Sequence, residues 1–369
     1  MKIGILTVPF NNNYGGFLQA YALKTVLEKM GHNVLFINRQ RNPSKSLKFL
    51  GYRLLVKLHL IKDFIGDKKR EISANTDVFK KKYLSPISPA YYSSKELKDC
   101  LKYGLDLLIV GSDQVWRYKY SLDSIDDFYF GFISGDNPIP RISYAASFGT
   151  DIIDYPNNKI RIIKPLLTRF RAISVREESG IDLLTKFFGV PASKVQAVLD
   201  PTLLLNVFDY LTLFQDINNE AGDYVFTYIL DREIIGEEVL DQYITKKCLR
   251  RIDGKAQTGD LTSLKMIEPV EKWLSNIYYA DFVITDSFHG TVFSILFNKP
   301  FISIANPVRG ITRLQDLLSR FGLKERLVTN LDSTSLCLLD KQIDWESVNC
   351  ILNERKEESL HFLIESIRC

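Results

Sequence analysis

The chain has 369 residues, 46% of them hydrophobic and 25% charged. That length suggests two domains, and the composition excludes wholesale disorder and collagen-like or mucin-like repeats. Forty-eight Lys and Arg against 44 Asp and Glu leave a net charge of only +4, too small an excess for a whole-surface nucleic-acid binder, and no apolar run of about 18 residues suggests a membrane span.

Residues 3–8 are a continuous apolar run, as in a strand buried on both faces. Residues 11–16 turn the chain. Leu18, Tyr21, Ala22, Leu23, Val26, Leu27 and Met30 then recur at helical spacing, with Gly31 as the C-cap. A second strand at 34–37 completes a βαβ unit. Residues 39–70 interrupt the pattern with ten Lys or Arg and two Asp, a local charge of +8. Leu47, Leu50, Leu54, Leu55, Leu58 and Ile61 lie on one helical face, with Lys48, Arg53, Lys57 and Lys62 among them. This basic helical insertion either docks its leucines on the first domain, the usual orientation, or dips into an anionic membrane surface.

Strands follow at 107–110, 142–146 and 172–175, each ending in a polar or charged stretch. In the second half, strands fall at 224–230, 282–285 and 300–304, a helix starts near Val292, and residues 345–367 form a terminal helix. The expected architecture is α/β, with two Rossmann-like domains facing a cleft. Residues 1–180 form the N-terminal, acceptor-side domain and 181–345 the C-terminal, donor-side domain. Residues 346–369 form a helix crossing back. Open sheets of this type bind ligands beyond the carboxyl ends of their strands, where the motifs gather.

His289 follows an apolar strand and precedes a helix, among Asp286, Ser287, Gly290 and Thr291. Helix-start N–H groups attract anions, and a histidine there transfers a proton near neutral pH. The alternative is a simple helix cap. Asp113, in Gly111-Ser112-Asp113-Gln114-Val115-Trp116, supplies a carboxylate, and Trp116 either stacks on a sugar ring or packs the domain edge. Arg176 either clamps an anion with two prongs or pairs with Glu177 or Glu178. Arg309 and Arg313 are placed to bind the same anion. Gly15 and Gly16 admit a ligand or make the turn, and Asn13 and Tyr14 can orient hydroxyls. HExxH, Walker A, GxGxxG and Asp-x-Asp motifs are absent and only four histidines are present, so neither a metal nor a cofactor is expected. The five scattered cysteines fit a reducing cytoplasm.

Residues 12–23 (Asn-Asn-Tyr-Gly-Gly-Phe-Leu-Gln-Ala-Tyr-Ala-Leu), 111–116, 142–149 (Ile-Ser-Tyr-Ala-Ala-Ser-Phe-Gly), 174–177 (Ser-Val-Arg-Glu), 200–202 (Asp-Pro-Thr) and 285–291 (Thr-Asp-Ser-Phe-His-Gly-Thr) together resemble the polysaccharide pyruvyl transferase family over nearly the whole chain. The resemblance implies a GT-B-like fold. It also implies transfer of the enolpyruvyl group of phosphoenolpyruvate onto two sugar hydroxyls as a cyclic ketal, in bacterial exopolysaccharide or cell-surface polysaccharide biosynthesis. It implies a histidine at His289, an arginine at Arg176 and an acid at Asp113 around the donor; by their place in the chain Ser287, Gly290, Thr291, Arg309 and Arg313 are expected on the donor side as well. Asn13, Tyr14, Gly15, Gly16 and Trp116 fall on the acceptor side. Family members often carry arginine where this chain has Ser287, and Arg309 or Arg313 is the candidate to supply that charge. The Tyr-Gly-Gly loop, where other members have a Gly-Asp pair, points to a different acceptor. Two other readings stand beside this one: a glycosyltransferase of the same architecture using a nucleotide sugar, and a non-catalytic sugar-binding protein of the same pathway. The expected partners are phosphoenolpyruvate, a sugar or lipid-linked oligosaccharide and, at the periphery, an anionic membrane. The expected location is cytoplasmic.

Overall fold

A computed structural model describes residues 1–10, 13–41, 47–217, 222–230, 236–254, 264–306 and 310–368, without the side chains of 47–50, 53 and 123. Two parallel sheets organise it. The first has six strands, β1 (Lys2–Leu6), β2 (Asn33–Ile37), β3 (Leu107–Asp113), β4 (Arg141–Ala146), β5 (Ala172–Val175) and β6 (Val195–Ala197), in the order β2-β1-β3-β4-β5-β6. The second has five, β7 (Tyr224–Tyr228), β8 (Arg250–Asp253), β9 (Phe282–Thr285), β10 (Phe301–Ile304) and β11 (Leu327–Val328), in the order β11-β10-β9-β7-β8. Central strands β3, β4 and β7 are buried along their whole length, as the near-continuous apolar runs require of strands covered by helices on both faces.

Strand order reverses once in each sheet. In the first, β1 has β2 on one side and β3 on the other; in the second, β7 lies between β8 and β9. Such switch points leave a crevice at the carboxyl ends of the strands. Helix α1 (Tyr14–Lys29) begins in the first crevice. A helix at Phe288–Leu296 begins in the second, just past β9.

The expected boundary at residue 180 falls too early for the first sheet. β6 pairs with β5 in the register Ile173↔Val195, Ser174↔Gln196, Val175↔Ala197, so the first sheet continues through residue 197. Strands β6, β8 and β11 were not among the expected elements. They are short edge strands, and β8 reads Arg-Arg-Ile-Asp with none of its residues buried. The terminal helix runs Trp345–Arg368 and returns to the first half. Ser359 Oγ accepts the Leu199 N–H at 2.9 Å, and Phe362 lies 6.5 Å from the Tyr144 ring.

The insertion is helical, with α2 (Leu47–Lys57) and α3 (Phe64–Phe79). The inner face of α3 buries Ile72, Thr76 and Phe79, and Phe79 meets Phe17 and Tyr21 of α1. The leucines do not dock as the usual orientation would have it: Leu54, Leu55, Leu58 and Ile61 are exposed. The side chains of Leu47, Lys48, Leu50 and Arg53 lie outside the described residues. Among the described residues, no helix is long and apolar enough to cross a membrane.

Candidate active site

The two crevices face each other across one cleft of about 270 Å³. The first half contributes Val8, Asn13, Gly16, Arg41, Asp113, Gln114 and Tyr120; the second contributes Asp286, Ser287, Phe288, His289 and Arg313. The end of β3 needs its glycine. Gly111 has φ +122° and a Cβ there would sit 2.1 Å from the Tyr144 carbonyl oxygen. Asp113, two residues on, adopts φ +67°, a left-handed conformation that Asp tolerates better than most residues. That geometry aims the end of β3 into the cleft.

His289 occupies the first turn of its helix, about four residues earlier than the apolar spacing suggests. Ser287 caps that helix, its Oγ accepting the Gly290 N–H at 3.4 Å. The imidazole is nearly buried and bridges the halves of the molecule. One side presses on the start of α1, where a Cβ on Gly15 would lie 1.9 Å from Nδ1. The other side places Nε2 3.7 Å from Asp200 Oδ2. Nε2 has no hydrogen-bond partner among the described residues. The first glycine of the Tyr-Gly-Gly loop is thus the space into which His289 fits.

Behind the cleft lies a buried charge cluster. Arg176 donates from Nη1 to Asp200 Oδ2 and from Nε to Glu177 Oε1, both at 2.9 Å, and its Nη2 stands 3.8 Å from Asp113 Oδ1. Asp200 also accepts from the Thr202 N–H (3.0 Å) and Oγ1 (2.7 Å), and from Ser112 Oγ at 3.3 Å. The Ser112 N–H donates to Gln19 Oε1 at 3.1 Å, which ties α1 into the same network. Ser147 Oγ holds Glu177 at 2.9 Å. Burial alone raises the Asp200 carboxyl. The facing His289, Arg176 and Thr202 outweigh it, and the carboxyl lies well below its usual range. Burial likewise opposes the Arg176 cation, but Glu177, Asp200 and Asp113 together raise it above the ordinary arginine value. Arg313 is pushed down to about 10, by burial first and by the Arg176 charge second. Both guanidinium groups sit near the Phe288 ring, at 4.2 and 5.6 Å from its centroid.

The residues expected from the sequence separate on this geometry. His289, Asp113, Ser287, Arg313, Asn13 and Gly16 line the cleft. Asn13 also caps α1, its Oδ1 accepting the Gly15 N–H at 3.1 Å. Arg176 does not line the cleft and is committed to carboxylates, so the ion-pair reading describes it. Trp116 is fully buried, stacked on Tyr129 at 5.0 Å with Nε1 donating to the Phe128 carbonyl, and offers no face to a sugar. Tyr14 is buried against Trp273 at 5.2 Å and donates to the Glu268 carbonyl at 3.3 Å; it braces the two halves. Thr291 is buried and bonded to the Ser287 carbonyl and to Ser303 Oγ, and Gly290 packs against Thr285. These two shape the helix start and do not reach the cleft. Arg309 lies outside the described residues. Sequence reasoning assigned no role to Asp200, Arg41 or Asp286. Asp286 accepts the Leu230 N–H at 2.7 Å and so joins β9 to the end of β7.

The family model of polysaccharide pyruvyl transferases matches residues 13–307. The chain belongs to the polysaccharide pyruvyl transferase family. Among solved structures, this transferase-family chain is similar to the UDP-GlcNAc 2-epimerase of Neisseria meningitidis, at 11% identity and TM-score 0.53, over 100% of this chain and 99% of that one. It is similar also to the UDP-GlcNAc 2-epimerase of Methanocaldococcus jannaschii (13%, TM-score 0.50, 99% and 100%) and to an alpha-glucosyltransferase in complex with UDP and DNA (9%, TM-score 0.51, 98% and 95%). These likenesses show a GT-B-type fold. A search of curated proteins found no matching relative. Among the described residues, no group of three or more His, Cys, Asp or Glu is arranged to hold a metal.

Proposed function

We propose that this family member transfers the enolpyruvyl group of phosphoenolpyruvate onto two hydroxyls of a sugar, forming a cyclic pyruvate ketal in the assembly of a bacterial exopolysaccharide or other cell-surface polysaccharide. The observation that carries the reading is one cleft lined by His289, Asp113, Arg313 and Arg41 in a chain matched by this family's model. The donor has a carboxylate and a phosphate, and the cleft offers two guanidinium groups of the geometry that grips such anions. Burial and the neighbouring Arg176 both disfavour the Arg313 cation, so an anion bound beside it is favoured. Arg313 thereby takes the place of the arginine that other members carry at the position of Ser287, whose side chain here caps the helix.

His289 protonates the donor's methylene carbon, leaving an oxocarbenium-like centre at the carbon that bears the phosphate oxygen. A sugar hydroxyl attacks that centre and passes its proton to Asp113. Phosphate then leaves with the proton held by Asp113, and the second hydroxyl closes the ketal as its own proton returns to His289. Asp200 and Arg176 are positioning residues: Asp200 faces Nε2 and orients the ring, and Arg176 holds Asp200. The scheme uses no metal. The acceptor rests against Asn13, Gln114 and Tyr120 on the first-half wall.

The competing reading is a glycosyltransferase using a nucleotide sugar, favoured by the UDP bound in two of the similar solved structures. The two separate in one assay. Incubation with phosphoenolpyruvate and a panel of oligosaccharides is expected to release phosphate and add to one acceptor the mass of pyruvate less water. Release of UDP from a UDP-sugar with no consumption of phosphoenolpyruvate would replace this reading by the other.

A further inference from the structure

We propose that residues 54–70 form a docking face for an anionic lipid surface, beyond the transfer reaction itself. Fifteen large apolar side chains are exposed among the described residues, and six of them fall within eleven positions: Leu54, Leu55, Leu58, Leu60, Ile61 and Phe64. Leu60 and Phe64 are each about two-thirds exposed, at 67% and 68%. Soluble proteins rarely leave apolar side chains so concentrated in water. Exposed Lys57, Lys62, Lys69 and Arg70 are interspersed or adjacent, and Lys57 and Lys62 form no ion pair among the described residues. Leucine and phenylalanine framed by lysine is the composition of a segment that lies in a lipid interface.

The face is held in place. Tyr52 donates to Asp63 Oδ1 at 3.0 Å and accepts the Ile65 N–H at 3.1 Å, while Asp63 caps α3 through Gly66. The turn between α2 and α3 is therefore pinned. Beyond it α3 is bound to the second half: the Ile267 N–H donates to the Ile72 carbonyl at 3.1 Å, and Asn75 donates to the Ile267 carbonyl at 2.7 Å. Arg41, near the start of the insertion, lines the cleft. A surface held by residues 54–70 is thus joined at one end to the site wall and at the other to the second half.

Charge decides between a lipid surface and a second copy of this chain. A two-fold dimer would bring the same patch against itself and set Lys57 and Lys62 of both copies at one interface. An anionic bilayer gains about fivefold in partition for each Lys or Arg brought to it.

The test is co-sedimentation of the full chain with vesicles of phosphatidylcholine alone or with phosphatidylglycerol added. Binding is expected on the anionic vesicles only, falling as salt rises. It is expected to drop at least tenfold in the Leu58→Gln, Leu60→Gln, Phe64→Gln triple variant and several-fold in Lys57→Gln, Lys62→Gln, with circular dichroism unchanged. Absence of binding at low salt, equal binding to neutral vesicles, or wild-type binding by the triple variant would overturn the proposal. So would a concentration-dependent dimer abolished by the triple variant with no vesicle binding. Turnover on a soluble acceptor is read separately, so failure here leaves the transfer reaction standing and failure there leaves the docking face standing.

Discussion

Two regions invert the ordinary distribution of side chains, in opposite senses. Around Arg176 the molecule buries five ionisable groups, Asp113, Arg176, Glu177, Asp200 and His289; along residues 54–64 it exposes six large apolar ones. Charged residues are seldom buried unless paired, and here the carboxylates Asp113, Glu177 and Asp200 all face Arg176. Asp200 alone takes contacts from Arg176, Thr202, Ser112 and His289. The exposed leucines have no such satisfaction in the described chain. Completeness of local pairing therefore separates the regions. The cluster at Arg176 is paired mostly by the fold itself, with Arg176 Nη2 and His289 Nε2 left without a hydrogen-bond partner among the described residues, whereas the face at 54–64 is finished only by something else.

The comparison breaks most sharply at His289. His289→Ala is expected to lower turnover by ~10²–10⁴-fold while the fold persists, and His289→Asn to be nearly as damaging because it cannot give up a proton. Wild-type turnover in either variant, with purified protein of unchanged circular dichroism, would remove His289 from the chemistry.

Asp200→Asn tests whether the cluster is self-contained. Removing one partner of a buried ion pair costs on the order of 3–5 kcal/mol, read as a lower midpoint in urea. The sign of its pH dependence follows from the depressed carboxyl. The carboxylate's contribution is complete at neutral pH, above the unfolded value of about 4, and is lost as pH falls through the lower folded value. The stability gap between wild type and Asp200→Asn is thus widest near neutrality and narrows in strong acid. A gap that widened on acidification would contradict the assignment. Arg176→Lys is expected to lower kcat with donor affinity nearly unchanged, because Arg176 touches Asp200 and not the cleft. A loss confined to donor affinity would return it to the role of an anion clamp.

Gly15→Ala places a methyl group against the His289 ring. A displaced proton donor predicts roughly a 10²-fold fall in kcat with little change in melting temperature. Smaller effects belong to the exposed region: Leu58→Gln and Phe64→Gln leave turnover on a soluble oligosaccharide at the wild-type level.

The strands that position the site were legible in the sequence because they are central and apolar on both faces. β6, β8 and β11 were not, because a short edge strand lacks that continuous run. His289 and Asp113 were legible through their place at or just past strand ends, and Arg313 through the basic stretch that follows β10. Trp116, open to either reading in the sequence, packs the core, and Tyr14, expected on the acceptor side, does so too, because an aromatic residue near a cleft serves a ligand or a core equally well. Only the stacking partners Tyr129 and Trp273, 13 and 259 residues away in the chain, decide the matter. Asp200 stands out in the sequence only as part of the 200–202 motif, and its role is not legible there because its partners Ser112, Arg176 and His289 come together only in the fold. Arg41 was hidden among the charges of the insertion, where nothing local marks the one that reaches the cleft.

The central claim is that the cleft between the two switch points holds phosphoenolpyruvate through Arg313 and Arg41, and calorimetric titration of the purified chain tests it most directly. The account predicts saturable binding of phosphoenolpyruvate that weakens at least tenfold in Arg313→Ala and measurably in Arg41→Ala, with no comparable binding of UDP. Tight binding of UDP with none of phosphoenolpyruvate, or phosphoenolpyruvate binding unaltered by both substitutions, would contradict it.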